Sequence, residues 1–84
     1  MHLEPYMKKE KTYSVLFAGR KDGLLVRVGV DLAKVTGATW RATPCDEHQV
    51  LILDKPKHRT LYVPYHSIRY VEQSKLSEAE ALFG

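Results

Sequence analysis

The chain has 84 residues and a net charge of +3, with 44% apolar and 27% charged residues. That describes one small globular domain, with no apolar run near the roughly 20 residues a membrane-spanning helix needs. Its basic character permits nucleic-acid binding without demanding it, and the lone Cys45 excludes an internal disulfide and points to a cytoplasmic setting.

Residues 1–11 are predicted to form a short N-terminal helix or arm. Leu3, Tyr6 and Met7 follow the i, i+3, i+4 spacing of an amphipathic turn, and Pro5 falls where a first turn tolerates it. This opening has neither the apolar core nor the small-residue cleavage site of a secretory signal. Lys8, Lys9 and Lys11 come next, with Glu10 among them. YSVLFA (13–18) and LLVRVGV (24–30) are rich in strand formers and flank GRKDG, so they predict a hairpin. DLAK (31–34) is a predicted turn. VTGATWRAT (35–43) reads as a strand with Gly37 at a bulge or bend, and PCDE breaks it. VLILD (50–54) is a buried strand, KPKHR a basic loop, and TLYV and IRYVE are the last two strands. Ser77 and Glu80 form a capping-box pattern, which predicts a possible short helix in the tail, residues 74–84. Residues 12–73 then make a mainly β fold: a small, strongly bent barrel of five or six strands, whose closure would remove exposed edges.

No catalytic or cofactor motif is present. There is no P-loop and no G-x-G-x-x-G, and Cys45 and His48 lack further ligands at zinc spacing. His2, His48, His58 and His66 are scattered. Ser67 beside His66 is no dyad, since neighbours on a strand or turn point apart, and Asp46 with Glu47 reads as a solvated loop. The sequence therefore predicts no enzyme, no cofactor and no metal.

The order of features in VLILDKPKHRTLYVPYHSIRYV (50–71) resembles the Sm-like family, nearest to its Hfq-like bacterial branch. There an apolar strand, a polar turn, a strand ending in Tyr-Lys-His, a single 3₁₀ turn and a last strand follow one another. PYHSI stands here at the Tyr-Lys-His-Ala-Ile corner, and Asp46 matches the aspartate before the apolar strand. Lys8-Lys9-Glu10-Lys11 stands where the family has an Arg-Arg-Glu-Arg-like segment. The resemblance spans most of residues 3–72. It departs at the lysine of Tyr-Lys-His, which is Tyr65 here, and in the longer stretch between Gly23 and Asp46. Two registrations stand: the first family strand lies either at YSVLFA, or at LLVRVGVDL with Gly37 as the bend glycine of the next strand and an extra hairpin before it.

The resemblance implies an Sm-like or SH3-like barrel that pairs edge to edge into a homo-oligomeric ring of about five to seven copies and binds single-stranded RNA. It places His48 or Gln49 where the Hfq-like branch stacks an aromatic on a base. His66 is then either a pore contact or a corner residue, and Tyr65 a stacking platform or a cap on the core. Arg69 either lines the same channel or faces solvent. Lys8, Lys9 and Lys11 form a rim patch, and Lys57 and Arg59 a phosphate-binding loop, unless these cations are merely solvated. Trp40 reads as core or subunit interface, and Leu51, Leu53, Tyr62, Ile68 and Tyr70 as residues of assembly. The alternative is a barrel serving as a protein-interaction or structural module with no nucleic-acid role.

Overall fold

The computed structural model describes residues 1–74, so the predicted tail helix lies outside the described residues. Six strands form one sheet: β1 (Thr12–Phe17), β2 (Leu24–Val28), β3 (Trp40–Cys45), β4 (Val50–Asp54), β5 (Leu61–Pro64) and β6 (Ile68–Gln73). Their order is β5-β4-β3-β2-β1-β6. β1 and β2 form the expected antiparallel hairpin, with Thr12 opposite Arg27 and Val15 opposite Leu24. β2 and β3 are parallel, joined by a crossover through a 3₁₀ turn at Leu32–Lys34 whose cap is Asp31. Among the described residues no helix is long and apolar enough to cross a membrane.

Chain connectivity forces the sheet to curl. β5 and β6 are the two outermost strands, yet only Tyr65–Ser67 separates them. Six strands laid flat would put the edges about 24 Å apart, at about 4.8 Å per strand. The link from Pro64 to Ile68 reaches at most about 14 Å. The corner is a 3₁₀ turn, and it is tied to both flanks: the Tyr65 N–H donates to the Gln49 carbonyl at 2.8 Å, and the Ala18 N–H donates to the Ser67 carbonyl at 2.7 Å. The curl wraps Val15, Val26, Ala42, Leu51, Leu53 and Tyr65 into one core. Alternation supplies this inward row most plainly on β1, with Tyr13, Val15 and Phe17, and on β4, with Leu51 and Leu53. Burying each large apolar side chain contributes roughly 1.5–3 kcal/mol, which is how so small a chain holds a core.

Three expectations are corrected. Residues 1–11 form no helix; they make two separate turns, one in which the Tyr6 and Met7 N–H groups both donate to the Leu3 carbonyl at 2.9 Å and one closed by the Lys11 N–H and the Lys8 carbonyl at 3.3 Å. So short a segment nucleates poorly, and the sheet intercepts its remaining backbone groups. The Tyr13 hydroxyl accepts from Lys8 N–H at 2.8 Å and donates to the Tyr6 carbonyl at 3.0 Å. The third strand begins at Trp40, not at residue 35, because Gly37 takes a φ of 65° in a turn; it also runs through Pro44. Proline is tolerated there because β2 pairs only as far as Ala42, leaving one side of β3 without a partner. Finally, the curl does not close. Among the described residues β5 and β6 share no ladder, so the sheet is a half-barrel with two edges. Traced through the ladder, both run in the same direction, so a three-residue corner cannot make them a hairpin.

Candidate nucleic-acid interface

The four-residue turn between β3 and β4, residues 46–49, organises one end of the half-barrel. Asp46 is its centre. Its carboxylate accepts from the Leu3 N–H at 2.8 Å, from the Glu4 N–H at 3.3 Å and from the Tyr65 hydroxyl at 2.7 Å. His2 Nδ1 lies 3.5 Å away. Glu4 reciprocates by accepting from the Asp46 N–H at 2.8 Å. This is the reciprocity of a capping box, carried out across the fold instead of along one helix. Burial pushes the Asp46 carboxyl up, but bonds from Leu3, Tyr65 and Glu4, with the nearby His2, outweigh it and hold the pKa below its ordinary 3.8. The same contact, added to burial, raises the Tyr65 phenol far above its usual range.

Gln49 completes the latch. Its amide accepts from the N-terminal ammonium at 3.2 Å and donates to the Met1 carbonyl at 2.7 Å and the Asp46 carbonyl at 2.8 Å. Its backbone sits at φ 54°, a left-handed position that ends the turn. Both hydrogen-bonding groups of the side chain are thus engaged by the chain's own backbone.

The residues singled out in the sequence divide into separate places. Tyr65 is 2% exposed, so its ring caps the core and its faces are not open for stacking. His66, next to it on the corner, is exposed, as is His48 in the adjacent turn. His48, Gln49, Tyr65 and His66 therefore do gather at one end. Lys57 and Arg59 do not join them. They sit in the β4–β5 loop at the far end of β4, about 15 Å away at the usual rise per strand residue. That loop has its own framework. Asp54 accepts from Arg41 at 3.0 Å and from the Thr60 hydroxyl at 2.9 Å, while Trp40 meets His58 edge-on at 5.5 Å and Lys55 at 5.6 Å. Lys8, Lys9 and Lys11 are exposed on the arm, beside the end of β2, where Glu10 N–H donates to the Val28 carbonyl. Arg69 is exposed on β6.

Two contributors were invisible to sequence reasoning. Glu4 and Tyr13 were not singled out because their partners are set by the fold, and Asp46, read with Glu47 as a solvated loop, is instead tied to Leu3, Glu4 and Tyr65. A second feature was missed as well: a cleft of about 450 Å³ lined by the arm and by residues of β6. Of the assembly residues, Leu51, Leu53 and Ile68 belong to the subunit's own core, whereas Tyr62 and Tyr70 are exposed on the edge strands. Among the described residues no group of three or more His, Cys, Asp or Glu side chains could hold a metal ion. No family model, curated protein or solved structure matches the chain.

Proposed function

We propose that this chain is a cytoplasmic, non-catalytic Sm-like module that assembles edge to edge into a ring of about five to seven copies and holds single-stranded RNA. The observation that carries the reading is the corner: a buried Tyr65 is fixed by Asp46, and the next residue, His66, faces outward. A neutral imidazole offers one donor and one acceptor and can stack on a base. His48 stands on the neighbouring turn, and the exposed lysines of the arm supply phosphate contacts. Assembly is supported by the two free sheet edges, with Leu61 and Tyr62 in solvent on β5. The action is positioning: cations hold phosphates while His66 and His48 meet bases.

The same exposed edge residues favour a second reading, a protein-interaction module with no nucleic-acid role. Native mass in solution, followed by binding of oligouridylate and oligoadenylate across a salt series, separates them. The RNA reading predicts an oligomer whose affinity falls steeply with salt. An oligomer with no salt-dependent RNA binding supports the interaction module, and a monomer removes the ring.

A further inference from the structure

Beyond the corner, the cleft along β6 combines side chains that the fold itself does not use. Tyr6 is 72% exposed, although its backbone is pinned to the sheet through Tyr13 and Leu3. Tyr70, across the cleft on β6, is 47% exposed. Arg69 and Gln73 also line it, and among the described residues neither side chain has a hydrogen-bond or ion-pair partner. Met1 and Met7 contribute flexible apolar walls. A volume of about 450 Å³ lies within the roughly 300–1,000 Å³ range of ligand clefts.

We propose that this cleft is a nucleotide subsite for the single-stranded RNA strand, a conclusion that rests on the RNA-binding reading. One base enters between the arm and β6 against Tyr6 and Tyr70, Arg69 takes the adjoining phosphate, and the Gln73 amide meets the base edge. Each part follows from the lining. Bases stack on tyrosine whatever their identity, guanidinium groups bind phosphate oxygens with two parallel bonds, and a free amide presents a donor beside an acceptor. A purely apolar peptide would leave Arg69 and Gln73 unanswered.

Met1 and Met7 are the chain's two methionines, so methyl-labelled methionine places a probe in the cleft. The full chain is titrated with short oligouridylate and oligoadenylate, and separately with uridine and adenosine 5′-monophosphate. The expected result is a saturable shift of the Met7 methyl with oligonucleotide, with affinity reduced about tenfold in Tyr70→Ala. Tyr6→Ala, whose ring lies in solvent, gives the same loss without endangering the fold. Salt-dependent oligonucleotide binding that leaves the Met7 methyl unmoved overturns the subsite while the RNA reading stands. No oligonucleotide binding at all overturns both. A shift with mononucleotide alone overturns the strand as occupant.

Discussion

The Tyr65 hydroxyl donates to the Asp46 carboxylate at 2.7 Å across 19 residues of chain. Through that bond the corner between β5 and β6, the turn between β3 and β4 and the N-terminal arm become one unit. Tyr65→Phe keeps the ring in the core and removes only the bond. It lowers the urea midpoint modestly and loosens residues 1–4, read as faster amide exchange at Leu3 and Glu4. Tyr65→Ala empties the core position as well and costs roughly 3–5 kcal/mol, the range for large aromatic deletions.

Acid weakens the latch in a defined window. The Asp46 pKa is lower in the folded state than its ordinary 3.8, so its contribution is present above that value and is lost as pH falls through the folded pKa. The arm's amide protection holds at pH 5 and collapses only below the ordinary carboxylate range. Asp46→Asn removes that acid-dependent step.

Base acts on the other partner. The Tyr65 pKa is raised, so its contribution is complete below the ordinary value of 10.0 and is lost as pH rises toward the folded pKa. Stability measured by denaturant should fall above about pH 10, and Tyr65→Phe should flatten part of that fall. Ultraviolet titration should show the last phenolate step disappear in the same variant.

Backbone strain offers a stabilising change. Lys57 sits at φ 65° in the turn closed by the His58 N–H and the Lys55 carbonyl, after Pro56 at the corner position. That is the geometry in which the third turn residue favours glycine. Lys57→Gly should raise unfolding free energy by up to about 1 kcal/mol, read from the shift in denaturant midpoint.

Trp40 is the single tryptophan, and it reports on the loop end through His58 and Lys55. RNA held at the His66 end leaves its emission unchanged. Engagement of Lys57 and Arg59 by the same strand changes it. Fluorescence during titration therefore tells whether the path reaches both ends.

Much of the architecture was legible because local chemistry dictated it. Stretches rich in strand formers marked the strands and GRKDG the first hairpin, while the 3₁₀ corner at PYHS was what the Sm-like resemblance implied. The N-terminal segment misled because Leu3 and Met7 are buried by the sheet, whereas Tyr6, at the same helical spacing, is left in solvent. Periodicity cannot tell a helix face from one turn held by Asp46 and Tyr13. The candidate site was only partly legible for a related reason. Gln49 and Tyr65 carry suitable groups for ligand contact, but the fold spends them on Met1 and Asp46, which are distant in sequence. The cleft needed three dimensions, since Tyr6 and Tyr70 stand at opposite ends of the described chain.

The most direct measurement compares RNA affinity across a salt series for the wild-type chain and His66→Ala, with native mass recorded for both. The predicted result is salt-dependent binding by an oligomer, weakened severalfold in His66→Ala at unchanged mass. Equal affinity in the two proteins, or no binding by a properly assembled wild type, would contradict the role given to the corner.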